Sequence, residues 1–143
     1  MFTLEECYEK GLLRKTQPSF QKALRSLDSA RTWLEEGKVT LRAGAVRSAV
    51  VATYMAYFHA ARSLLYRDGL REKSHRCILL YLEFYTANGK LETEFVETFE
   101  RVMSLRHEDQ YSLGAEPDPR EIASILAWAP RFIQAMEGLV REE

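Results

Sequence analysis

The chain has 143 residues, of which 46% are hydrophobic and 29% charged, with a formal net charge of −1. This length predicts one domain, residues 1–143, and this composition excludes wholesale disorder. The longest stretch free of Asp, Glu, Lys and Arg, Ser48 to Ala61, falls short of the roughly 20 apolar residues of a membrane span, so no membrane partner is expected.

In chain order the predicted elements are helical. Thr3 with Glu6 fits a capping box and opens a short helix ending near Gly11 to Arg14. Pro18, after the break at Lys15-Thr16-Gln17, suits a first helical turn. Phe20, Leu24, Leu27, Ala30 and Leu34 then form one apolar stripe, and Gly37 sits where a left-handed terminating residue is wanted. The next helix should run from about Arg42 to Tyr66. Ala45, Ala49, Ala52, Ala56 and Ala60 line one side of it, and Val50, Tyr54, Tyr57, Ala61 and Leu64 another. Such a helix belongs at the centre of a domain or in an interface, and its alanines let a neighbour approach closely. Asp68-Gly69 ends it. A shorter helix, Ser74 to Ala87, is closed by Asn88-Gly89, and another follows from Glu92 to about Gln110 with the stripe Phe95, Phe99, Val102, Arg106. Asp118-Pro119-Arg120-Glu121 opens the last helix, which Pro130 should kink. No segment alternates long enough for a strand. The fold class is therefore all-α: an up-and-down bundle of four to five helices with a short N-terminal helix.

Charge is uneven along the chain. Residues 1–76 hold 14 basic and 8 acidic residues, whereas 77–143 hold 6 and 13. This split fits a nucleic-acid surface on the first half, or two halves that neutralise each other in a compact bundle. The densest basic stretch is Arg62, Arg67, Arg71, Lys73 and Arg76. The acidic start at Glu5-Glu6 is unlike a signal peptide, and Cys7 and Cys77 are read as reduced thiols of a cytoplasmic protein.

Chemistry-bearing patterns are few. Glu72-Lys73-Ser74-His75 matches the bundle metal motif Glu-x-x-His once, with no second copy, so no metal and no cofactor is expected. His59, on the alanine side of the most apolar helix, reads as a core or interface residue. His75 beside Ser74 reads as a loop tether, or as a group for an anionic partner among Lys73 and Arg76. Arg106 continues an apolar stripe, and an inward arginine must be paired or must face a functional groove. Asp109 and Gln110 can reach it on the same helix face; Tyr111 joins only if the helix end unwinds.

The central segment Thr53-Tyr54-Met55-Ala56-Tyr57-Phe58-His59-Ala60-Ala61-Arg62, the loop Lys73-Ser74-His75, the ending Phe84-Tyr85 through Asn88-Gly89, and Arg106-His107-Glu108-Asp109-Gln110-Tyr111 follow one another in a known order. Across roughly residues 15–142 the chain resembles the HEPN domains (higher eukaryotes and prokaryotes nucleotide-binding), in a prokaryotic subgroup often encoded beside minimal nucleotidyltransferases. The resemblance implies a homodimer in a toxin–antitoxin-like pair, with a nucleotidyltransferase partner and an RNA or nucleotide ligand. Similar active ribonucleases carry an arginine followed a few residues later by histidine and cleave RNA without metal. Arginine there stabilises the charged phosphate and histidine moves the proton. In this chain Arg106 matches, but Tyr111 holds the histidine's place. The candidate catalytic pair is thus Arg106 and Tyr111, and the candidate RNA-binding set is Arg106, Asp109, Tyr111, His75 and His59. The alternative is a catalytically inert homodimeric interaction module.

Overall fold

The computed structural model describes residues 2–111 and 116–142, with the backbone alone at 109–111. A short helix, α1 (Leu4–Glu9), begins at Thr3, whose hydroxyl accepts from the Glu6 amide as the capping box predicts. The long helices are α2 (Phe20–Arg42), α3 (Val46–Asp68), α4 (His75–Ala87), α5 (Thr93–Tyr111) and α6 (Pro119–Val140). The molecule is thus a helical bundle, as its apolar periods require.

Helix α3 is the axis. Ala49, Ala52, Ala56 and Ala60 are buried along it, together with Tyr54, Tyr57 and Leu64. Helix α2 comes close enough for the Ser26 hydroxyl to donate to the His59 carbonyl at 2.7 Å. On α3 the buried Tyr57 hydroxyl donates to the Ile125 carbonyl of α6 at 2.7 Å, which satisfies a phenol that burial would otherwise penalise. Helix α5 closes the core with Phe95, Phe99 and Val102. No helix of the described residues is long and apolar enough to cross a membrane.

Four local expectations are corrected. Gly37 does not end α2, which runs on to Arg42; a Cβ there would meet Leu126 Cδ2 at 2.8 Å, so this glycine serves close packing of α2 on α6. Pro18 lies outside α2, whose cap is Ser19, accepting from the Lys22 amide at 3.1 Å. A two-stranded antiparallel ribbon is present, β1 (Leu13–Lys15) with β2 (Leu70–Glu72), pairing Leu13 with Glu72 and Lys15 with Leu70. Strands of three residues are too short for alternation to announce them. Gly69 makes the turn into β2: its φ of 75° suits glycine, and a Cβ would meet the Thr16 carbonyl oxygen at 2.8 Å.

The fourth correction concerns the cysteines. Cys7 and Cys77 are joined in a disulfide, with Cα atoms 6.0 Å apart and both side chains fully buried. The ribbon brings the end of α1 against the first turn of α4, a proximity that a separation of 70 residues does not announce.

The uneven charge is partly neutralised across the bundle. Arg31 of α2 meets Glu137 of α6 at 2.5 Å, and Arg76 of α4 meets Glu100 of α5 at 2.9 Å. These exposed pairs contribute at most about 1 kcal/mol each.

Candidate phosphate site at the meeting of α3, α4 and α5

Tyr54, Phe58 and Arg62 follow one another at four-residue steps and so share one face of α3. Against that face come Glu72, the last residue of β2, and His75, the first of α4. Arg106 arrives from α5, in phase with the buried Phe99 and Val102 as the stripe predicts.

Arg106 and His75 meet on Tyr54. The Arg106 guanidinium lies over the Tyr54 ring, 5.0 Å from its centroid. This cation–aromatic contact is worth about 0.5–2 kcal/mol. Its Nε is buried without a hydrogen-bond partner, and no described carboxylate pairs with it. The expected partner Asp109, like Tyr111, has its side chain outside the described residues, so the site is built without either.

His75 is exposed on one side and packs its ring on Tyr54 and Phe58, with centroids 5.7 and 4.5 Å away. Its Nδ1 is hydrogen-bonded to the Tyr54 hydroxyl. Tyr54 is fully buried, and burial pushes its phenol well above the ordinary range, so the hydroxyl keeps its proton. That proton has no other acceptor among the described residues, and a buried O–H left unpaired is costly. Tyr54 therefore donates to Nδ1. Burial first, then the charges of Arg106 and Arg62, hold the His75 imidazole below its ordinary pKa, so at neutral pH the ring is uncharged. With Nδ1 accepting, its one proton sits on Nε2. This tautomer is assigned from the hydrogen-bond network.

Arg62 and Glu72 form the next layer. The guanidinium lies 5.4 Å from the centroids of both Phe58 and Tyr66, and its Nε is 2.6 Å from a Glu72 carboxylate oxygen. The N–H is not aimed along that line, so the contact is one of charge more than of hydrogen bonding. The Glu72 side chain is only 5% exposed; it answers Arg62 and offers little negative charge to a ligand.

Of the candidate residues, the structure brings Arg106 and His75 together on Tyr54. His59 meets the cluster only at its edge: its ring stands edge-on to Phe58, with centroids 5.2 Å apart, and it lines a cavity of about 290 Å³ between α2 and α3. Its pKa is lowered, first by burial and then by Arg62. Tyr54, Phe58, Arg62 and Glu72 are additions to the candidate set. The four-residue spacing of the first three is visible in the sequence, but that their face receives α4 and α5 is not. Among the described residues no group of three or more His, Cys, Asp or Glu is placed to hold a metal ion.

Chemically, the cluster presents two hydrogen-bond donors, a guanidinium and an Nε2–H, beside aromatic walls. Such a set recognises a phosphate or another oxyanion.

The comparisons with known proteins agree with the bundle. A protein of Methanocaldococcus jannaschii described as a toxin candidate is 27% identical over 134 residues, covering 93% of this chain and 98% of that protein. A UPF0332 protein of Thermotoga maritima is 25% identical over 114 residues, covering 79% of this chain and 86% of its own length. The family model described as HEPN domain matches residues 19–139, from the cap of α2 nearly to the end of α6, and the chain belongs to that family.

Proposed function

We propose that this HEPN protein is toxin-like and binds RNA, holding a phosphodiester between Arg106 and the Nε2–H of His75. One observation carries the reading: the Arg106 guanidinium lies half-buried over Tyr54 with no described carboxylate to neutralise it. A bundle that needed this residue only for packing would pair it or replace it, because an unpaired inward charge is costly. The toxin-like part of the reading is supported by the description of the M. jannaschii relative. The resemblance adds a homodimer and a minimal nucleotidyltransferase as partners.

The groups of this site recognise phosphate more readily than they cleave RNA. Metal-independent cleavage needs a base to take the ribose 2′-hydroxyl proton as that oxygen attacks phosphorus and the bond to the 5′ oxygen breaks. His75 with Nδ1 engaged offers a donor. Residue 111 is a tyrosine, a residue type whose usual pKa near 10 makes it a weak base at neutral pH. That chemistry also favours the second reading, a catalytically inert homodimeric module.

The test is a titration of a labelled oligoribonucleotide with the purified protein and with Arg106→Ala. Loss of a charge-assisted bond of about 1.5–3 kcal/mol predicts binding weakened about tenfold or more. Equal binding by the two forms removes Arg106 from the site. Cleavage that persists in chelator and disappears in Tyr111→Phe would overturn the inert reading. Light scattering tests the homodimer, and copurification tests the nucleotidyltransferase.

A further inference from the structure

Next to the site of Arg106 and His75, and sharing Arg62 with it, the surface holds a second feature. The cavity of about 290 Å³ between α2 and α3 is lined by Lys22, Arg25, His59, Arg62 and Tyr66 together with Ser26 and Ser29. A second hollow of about 250 Å³ against β2 shares Lys22, Arg62 and Tyr66 and adds Arg71. Sharing three walls, the two form one groove.

This groove gathers several cations that no described carboxylate answers. Elsewhere Arg31 is answered by Glu137, Arg67 by Asp68, Arg76 by Glu100 and Arg101 by Glu121, whereas cations without a described carboxylate in reach, such as Arg14, Arg42 and Arg131, lie apart from one another in the sequence. In the groove Lys22, Arg25 and Arg71 have no carboxylate within ion-pair distance among the described residues. Among the described residues the only acid in its walls is Glu72, turned inward onto Arg62. The Arg62 guanidinium is within cation–aromatic distance of both Phe58 and Tyr66, and the Phe58 ring packs in turn on His75. Arg62 therefore joins the groove to the phosphate site.

We propose that this groove is a phosphate-backbone track for single-stranded RNA, in which Lys22, Arg25 and Arg71 neutralise the phosphates next to the one held at Arg106 and His75, and Arg62 and Tyr66 form its wall. The inference rests on the reading of Arg106 and His75 as a phosphodiester site. Unanswered cations beside an aromatic ring are how sequence-tolerant binders follow a single strand.

Lys22 and Arg25 are both exposed, so their replacement leaves the core intact. The experiment measures binding of a labelled oligouridylate of roughly fifteen nucleotides across a range of salt concentrations. The proteins are the full chain, Lys22→Gln with Arg25→Gln, Arg106→Gln, and a control of equal charge loss on the distal part of α2, Lys38→Gln with Arg42→Gln. For single strands each neutralised phosphate contributes about 0.7 to the slope of log affinity against log salt, so the groove pair should lower the slope by about 1.4. The control should bind as the unaltered chain does. A groove pair that behaves like the control, while Arg106→Gln weakens binding, overturns the track and leaves the phosphate site standing. No binding by the unaltered chain removes the phosphate site, and the track with it. Binding of polyglutamate as tight as that of oligouridylate of equal charge would assign the groove to an acidic protein and also overturn the proposal.

Discussion

Replacing Arg106 by methionine separates a binding residue from a structural one. The substitution keeps the unbranched stem that packs along α5 and removes the guanidinium. Its cost can be set against its gain. The buried Nε without a partner costs about 1–3 kcal/mol, and the contact with the Tyr54 ring returns about 0.5–2 kcal/mol. These nearly cancel, and methionine itself adapts well to an aromatic wall. Arg106→Met should therefore change stability by no more than about 1 kcal/mol in either direction, or roughly 2–4 °C in melting temperature at this size. Oligoribonucleotide affinity should fall about tenfold or more. Urea unfolding followed by circular dichroism gives the first quantity and fluorescence anisotropy the second. A loss of stability above about 2 kcal/mol would mean that the charge ties the end of α5 to its neighbours, which would refute the reasoning that leaves it free for a ligand.

Two further predictions concern His75 and the disulfide. The folded state holds the His75 imidazole below its ordinary 6.5, so between the two values the unfolded chain binds more protons and stability falls as pH drops below about 6.5. One side of the ring meets solvent, so this loss stays below about 1 kcal/mol. RNA binding should show the opposite sign, strengthening as pH falls through the same window, because a phosphate favours the imidazolium enough to turn the Tyr54 hydroxyl round so that its oxygen accepts from Nδ1–H; His75→Gln should flatten that dependence. An NMR titration placing the free-state pKa of His75 at or above 6.5 would contradict both statements. Breaking the Cys7–Cys77 bond, which closes a loop of 70 residues, should cost on the order of 4 kcal/mol by chain entropy. Reductant should then lower the melting temperature of the unaltered protein and leave Cys7→Ser with Cys77→Ser unmoved; equal melting of the unaltered protein with and without reductant would refute it.

What can be read from the chain, and what cannot, follows from the range of the forces involved. Helix phase is a local property, so the stripes of α2 and α5 are legible, as is the inward course of Arg106 behind Phe95, Phe99 and Val102. Caps are local as well: Thr3 and Asp118 stand where their side chains predict. Gly37 misleads because a glycine near the end of a stripe looks the same whether it terminates a helix or admits a neighbour, and Leu126 of α6 decides between the two. The ribbon and the disulfide are invisible together. Each depends on residues 13–15 meeting residues 70–72, an encounter between distant segments that no pattern within either one encodes.

The same ribbon explains how a site arises on so apolar a helix. Tyr54 is fully buried on α3, and its hydroxyl needs an acceptor that α3 and its core neighbours do not provide. The acceptor comes from the start of α4, at a position set by the pairing of Leu13 with Glu72 and by the Lys73 amide donating to the Leu12 carbonyl at 2.8 Å. Once His75 is drawn onto Tyr54, its Nδ1 is spent and its Nε2–H is left as the remaining ring donor. The ring that anchors His75 also carries the Arg106 guanidinium on its face. A hydrogen-bond demand in the core thus fixes the tautomer and place of the imidazole. The phosphate binding proposed for the site would follow from that constraint, without any histidine after Arg106 on α5 in the place the resemblance gives it.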